Sequence, residues 1–312
     1  MGTRSADSDL AASVDALRRV RDEIDRVVRT PPGLIDHLLT ALVGEGHVLL
    51  EDVPGVGKTV LARSLAGAVG IRFSRVQCTP DLLPGDITGV EVFDQRSTDF
   101  SFRPGPIFTN LLLVDEANRA SPKTQAALLE AMQERQITVD GVSHPLDLPF
   151  MVIATQNPVE FEGTFPLPEA QLDRFAMQLS LGYPSREEEA RLLAEQSGGE
   201  IAETLAPVAD ADAIRGAIAL ALDLHVNPAV HDYAVAILHR TREDSRLSLG
   251  ASPRAGVVMM RMARARALLA ERDFVVPEDV AGIAPLVLAH RVQPSAEARA
   301  AGFDAARVIA DI

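Results

Sequence analysis

The stretch His47 to Glu51 has the make-up of a strand. It runs into Asp52-Val53-Pro54-Gly55-Val56-Gly57-Lys58-Thr59, and a helical pattern follows. Strand, glycine turn, Lys-Thr and helix in that order suit phosphate binding. Gly55 and Gly57 let the backbone turn so that its N–H groups face inward, and those donors, with the positive helix end, hold phosphate oxygens. Lys58 adds a point charge toward the terminal phosphates, and the Thr59 hydroxyl suits magnesium. Pro54, Gly55, Val56, Gly57, Lys58, Thr59 and Val60 are therefore the expected nucleotide-binding residues. The strict pattern has Gly where this chain has Asp52. The competing reading is an ordinary glycine turn with a chance Lys-Thr after it, and the flanking elements weigh against it. A dinucleotide fingerprint fails, because the third glycine position holds Val60.

A second source of chemistry is Leu111-Leu112-Leu113-Val114-Asp115-Glu116, an apolar run ending in two carboxylates. A core strand delivers acids only where it leaves the sheet, the edge that carries ligands in open α/β folds. Asp115 would join Thr59 as a magnesium ligand, and Glu116 would orient and polarise an attacking water. An acidic helix cap after a strand is the bland alternative. Val152-Ile153-Ala154-Thr155-Gln156-Asn157 is another apolar run with a polar tip. Asn157 is suited to positioning water by hydrogen bonding, or simply to forming a turn before Pro158. Arg174 follows a Gly- and Pro-rich loop, and Arg254 opens a helical segment. Arg254, Arg261 and Arg264 share one helix face by spacing, so a generic basic stripe competes with a specific role. A surface Arg is ordinarily solvated or paired with an acid, and the residues alone assign neither arginine.

The elements that must position these groups alternate along the chain. Apolar periodicity predicts helices over about 9–29 and 34–43, with residues 1–8 expected to be disordered. Strands are predicted at 47–50, 72–77, 111–114 and 150–155, with helices at 59–69 and 123–134 between them. That alternation predicts a parallel sheet covered by helices on both faces. Two inserts interrupt it. Residues 87–102 read as a hairpin after a short helical piece near 80–83, and 136–148 as a second hairpin turning at Asp140-Gly141. From 185 onward the chain is Ala-rich, helical and almost strand-free, with amphipathic segments at about 185–196, 210–223, 228–242, 253–271 and 277–288. Residues 9–184 are thus expected to form the α/β core and 185–312 a small all-α domain.

Composition narrows the classes. The 312 residues are 47% hydrophobic and carry a net charge of -14, which disfavours nucleic acid at long range. Lone Cys78 permits no intrachain disulfide and suits a reducing compartment. Neither a signal core nor a membrane-length apolar run is present in the sequence, so the expectation is a cytoplasmic protein.

Taken together, these stretches resemble the AAA+ ATPases and, within them, the MoxR family. The resemblance spans about 30–290 and is most specific at 47–59, at Gly105 to Ala120, at Ala154-Thr155-Gln156-Asn157-Pro158 and at Phe165 to Phe175. The family often has Asp at the position of Asp52. Its usual Val-Gly-Gln segment is replaced here by Val28-Arg29-Thr30-Pro31-Pro32. The resemblance implies a P-loop α/β core with a helical lid. It also implies ATP and Mg2+ as ligands, Asn157 as sensor 1, Arg174 as an arginine finger reaching a neighbouring subunit, and Arg254 as sensor 2. The two inserts fit the clade that includes magnesium-chelatase subunits, in which the lid is displaced. The implied activity is Mg-dependent ATP hydrolysis by a homo-oligomer, expected as a hexameric ring. It would remodel client proteins or mature their cofactors with a partner carrying a von Willebrand A domain. An ATP-gated binding scaffold with negligible turnover is the alternative. A DNA-dependent motor is disfavoured, because 87–104 holds only Arg96 and Arg103 as basic residues and 136–148 only His144.

Overall fold

The computed structural model describes residues 3–28, 30–53, 55–95, 98–157, 164–183, 186, 189 and 205–312. Helix α1 (Thr3–Val27) starts ahead of the expected residue 9, so 3–8 continue its backbone rather than preceding it. Its buried side chains, Val14, Leu17, Val20 and Ile24, recur every three or four residues and face α2 (Leu34–Val43) and α3 (Lys58–Val69).

The core sheet is built from β1 (Val48–Glu51), β2 (Phe73–Gln77), β5 (Leu111–Asp115), β8 (Met151–Gln156) and β9 (Met177–Leu179). Their order is β2-β5-β8-β1-β9, and every pairing is parallel. The apolar runs exist because both faces are covered. Val48, Leu50, Leu111, Leu113, Met151 and Ile153 face one core with α1, α2 and α3. Leu49, Leu112, Val114, Val152 and Ala154 face the other, against α5 (Pro122–Glu134). Each fully buried aliphatic side chain contributes about 1.5–3 kcal/mol.

The two inserts are the expected hairpins. The first is β3 (Gly89–Asp94) with β4 (Asp99–Pro104), preceded by α4 (Pro84–Thr88), slightly later than the expected helical piece. The second is β6 (Gln136–Val139) with β7 (Val142–Pro145). Its turn residues Asp140 and Gly141 have φ of 46° and 81°, as a two-residue hairpin turn requires. Short helix α6 (Glu169–Leu172) leads into β9, which the sequence reading did not predict.

The C-terminal part contains α7 (Ala211–Asp223), α8 (Pro228–Glu243), α9 (Pro253–Leu269), α10 (Pro277–Leu288), α11 (Ala296–Ala300) and α12 (Ala305–Asp311). Asp210, Asn227 and Ser252 accept hydrogen bonds from first-turn N–H groups of α7, α8 and α9. It also holds a small antiparallel pair, β10 (Leu247–Leu249) and β11 (Gln293–Pro294), a correction to the almost strand-free expectation. Most of the helix expected at 185–196 lies outside the described residues.

Candidate functional site

Strand order changes direction at β1, whose neighbours are β8 and β9 while its own chain crosses to the far edge at β2. A crevice opens at such a point, beyond the carboxyl ends of the strands. Here it is a cleft of about 360 Å³ lined by Gly55, Gly57, Lys58, Thr59, Val60, Arg75, Gln77, Asp115, Glu116, Thr155 and Asn157. The phosphate loop, the paired acids and the lone amide predicted from the sequence therefore share one cavity.

The loop has the shape its glycines imply. Gly55 and Gly57 take φ of 85° and 91°, and among the described residues nothing lies within 4 Å of where a Cβ would project at either. The backbone is left-handed there, the cradle is open, and Gly57 leads directly into α3. The donor set and the open cradle fit a phosphate chain with a bound divalent cation. Lys58 Nζ donates to the Asp52 carbonyl at 2.7 Å, leaving two ammonium hydrogens for other acceptors. Partial burial pushes the Lys58 pKa down, while Asp52, Asp115 and Glu116 pull it back up. Val56 packs toward the apolar core rather than lining the cleft. Pro54 lies outside the described residues.

Asp52 has a task of its own. Its Oδ1 accepts from Ser180 Oγ at 2.7 Å and Gly182 N at 3.0 Å, and its Oδ2 from Leu181 N at 2.7 Å. The residue that departs from the strict loop pattern ties the loop to the segment leaving β9.

The acids are held by a network across the strand tips. Asp115 Oδ1 accepts from Thr155 Oγ1 at 3.1 Å and Oδ2 from Arg75 Nε at 2.6 Å. Thr155 Oγ1 in turn accepts from Glu116 N at 2.9 Å. The Glu116 carboxylate accepts from Arg119 Nη1 at 3.0 Å. Arg75, Gln77 and Thr155 were not singled out in the sequence. Arg75 and Gln77 alternate at the carboxyl end of β2, so they share the face that meets the cleft. That spacing was the available signal.

Arg174 and Arg254 lie apart from this cleft and close to each other's surroundings. Arg254 Nε is 3.7 Å from Asp173 Oδ2. Arg174 is half-buried, and its Nε has no hydrogen-bond partner among the described residues. The basic stripe divides: Arg261 pairs with Glu45 at 2.8 Å, and Arg264 donates to the Leu222 carbonyl at 3.0 Å. Cys78 is buried beside β5, and burial, with Asp115 and Glu116 nearby, pushes its thiol up to about 12.

Residues 47–177 match the ATPase family associated with various cellular activities (AAA), and 239–312 match the AAA lid domain. The chain is 42% identical over 292 residues to the Chaperone MoxR1 of Mycobacterium tuberculosis, covering 91% of this chain and 77% of that protein. It belongs to the MoxR family of AAA+ ATPases. This MoxR-family chain is also 46% identical to the uncharacterized protein YeaC of Bacillus subtilis, over 95% of its own length and 92% of the relative's. A crystal structure of a candidate ATPase from Cytophaga hutchinsonii superposes with a TM-score of 0.91 at 36% identity, covering 99% of this chain and 96% of that one. The AAA+ core and helical lid expected from the MoxR resemblance are thus the observed architecture. Among the described residues no helix is long and apolar enough to cross a membrane.

Proposed function

We propose that this MoxR-family chain hydrolyses ATP in the cleft at the ends of β1, β5 and β8. The observation that carries the reading is the meeting of Lys58, Thr59, Asp115, Glu116 and Asn157, distant in sequence, around one cavity. The N–H groups of the 55–60 loop cradle the phosphates, with Lys58 on the terminal ones. Thr59 and Asp115 would hold Mg2+, whose chemistry when bound is to neutralise charge on the phosphates. Glu116 orients and polarises the attacking water, and Asn157 positions it. Glu116 first has to leave Arg119, and Asp115 has to loosen from Arg75.

Arg174 lies outside its own chain's cleft, which favours action on a neighbour's nucleotide in a homo-oligomer, read here as a hexameric ring. An arginine supplied in trans raises phosphoryl-transfer rates by about 10³–10⁵. Arg254, 3.7 Å from Asp173 beside Arg174, would act as a sensor across the same junction. Similarity to the Chaperone MoxR1 of Mycobacterium tuberculosis supports chaperone-like remodelling of client proteins as the output; cofactor maturation, with a von Willebrand A domain protein as partner, is what the family resemblance adds to this reading. The buried thiol of Cys78 fits a reducing, cytoplasmic setting, and the net charge of -14 disfavours nucleic acid as a partner.

Glu116→Gln tests this directly. The variant should bind ATP as the parental protein does and release no phosphate, and turnover at the parental rate would remove Glu116 from its role. The pairing of both acids with arginines favours a second reading, an ATP-gated scaffold with negligible turnover. In that case the parental protein itself binds ATP and turns over no faster than Glu116→Gln.

A further inference from the structure

Arg291 is one of the most deeply buried charges in the molecule, with a side chain 2% exposed. It stands in a short 3-10 turn, Ala289–Arg291, that follows α10 in the lid domain. Its hydrogen bonds cross to the core and converge on one short segment. Nε donates to Asp173 Oδ1 at 2.7 Å, and Nη2 donates to the carbonyls of Asp173 at 3.0 Å and Phe175 at 2.6 Å. Nη1 donates to the Ala176 carbonyl at 3.3 Å and to Val287 of its own helix. The carbonyls on either side of Arg174 are thus gripped by one guanidinium, while Arg174 itself is passed over.

The neighbours reinforce the grip. His290 Nε2 lies 3.0 Å from the Phe175 carbonyl. Gln293 Nε2 donates to Glu169 Oε1 on α6, and Arg254 approaches the far oxygen of Asp173. Every one of these groups comes from the lid. Burial pushes the Arg291 pKa down, with Asp173 opposing and Arg254 adding to the depression. A buried charge this well satisfied is costly to build and is readily replaced by apolar packing when only stability is needed. A rigid planar fork that fixes several carbonyls at once is what Arg supplies and Lys does not.

We propose that Arg291 is a positioning residue for Arg174: by locking the backbone on both sides of it, the lid aims the Arg174 side chain at the neighbouring subunit's nucleotide. This rests on the reading that Arg174 acts in trans. It makes the lid a determinant of the next subunit's turnover rather than only of its own, because any lid motion that shifts the 289–291 turn shifts Arg174.

Subunit mixing tests it. Arg291→Leu should bind ATP with affinity within about twofold of the parental protein while its kcat falls at least about tenfold. Its own cleft remains intact, so mixing it with inactive Lys58→Ala, whose Arg174 is correctly held, should restore turnover above the sum of the two alone. A merely misfolded subunit could not be rescued that way. Arg291→Lys should behave like Arg291→Leu. Should Arg291→Leu lose ATP binding, Asp173→Asn, which keeps the side-chain shape and weakens the same anchor, carries the identical mixing test. The control is Arg174→Ala mixed with Lys58→Ala. If that control recovers activity and the Arg291 and Asp173 variants do not, the positioning role is wrong while the trans reading stands. If the control itself fails to recover, action in trans is wrong and the positioning role falls with it.

Discussion

At Glu116 the backbone is left-handed, with φ 54° and ψ 49°. Non-glycine residues seldom adopt that conformation, and holding it costs about 1–3 kcal/mol. It turns the chain sharply as β5 ends, so that Asp115 and Glu116 both reach the cleft. Two other single residues carry a pH dependence. His47 is fully enclosed, with Nε2 2.9 Å from the Met132 carbonyl and Nδ1 accepting from Val152 N at 3.0 Å. Its pKa is pushed from 6.5 down to about 4, chiefly by burial. Burial, and then the adjacent Arg291, push His290 down to about 3. Both folded values lie below the unfolded one, so the unfolded chain binds more protons as pH drops below 6.5. Their contribution is complete above pH 6.5 and is lost as pH falls toward 4 and 3. Between pH 6.5 and 5 stability should fall by about 2 kcal/mol for each imidazole. Urea unfolding at several pH values checks this: His47→Gln should show a shallower dependence, and a slope equal to the parental one would contradict the assignment.

At the scale of elements, Asp52 ties the phosphate loop to the end of β9. Asp52→Gly would restore the strict glycine pattern, yet it removes an anionic acceptor from three donors and leaves the buried Leu181 N–H unsatisfied. It should therefore destabilise the protein by about 2–4 kcal/mol and give no gain in ATP affinity; chemical denaturation beside an ATP titration measures both. The elements that were legible in the sequence share a trait. β1, β5 and β8 are apolar on both faces and end in polar groups, so their type, direction and ligand-bearing ends follow from local composition. Strand β9 is only three residues long and follows the single-turn helix α6, which leaves too little pattern to read. The alternation of Arg75 and Gln77 puts them on one face of β2, but nothing local marks that face as the one that meets the cleft. The grip of Arg291 on Asp173 spans 118 positions, and no spacing rule connects residues that far apart. Arg174 and Arg254 were nameable only by resemblance, since their surroundings are made by tertiary contacts around Asp173.

For the whole molecule, the cleft of one chain holds the groups proposed for binding and for water activation, while Arg174 sits elsewhere. Turnover should therefore depend on assembly. Specific ATPase activity is predicted to fall on dilution through the dissociation range, tracked by light scattering or sedimentation of the same samples. A rate per subunit that is unchanged from the assembled to the dissociated protein would show that each chain completes its own site. The lid touches both ends of this arrangement, since it grips the Arg174 segment through Arg291 and packs α10 against β9, the strand that precedes the residues holding Asp52.

The central claim is that the glycine loop and the paired acids form one triphosphate site, and equilibrium ATP binding in the presence of Mg2+ tests it most directly. Parental protein and Glu116→Gln should bind with matching affinity, and Lys58→Ala should bind at least about tenfold more weakly through loss of its charge on the phosphates. Lys58→Ala binding ATP as tightly as the parental protein would contradict the account.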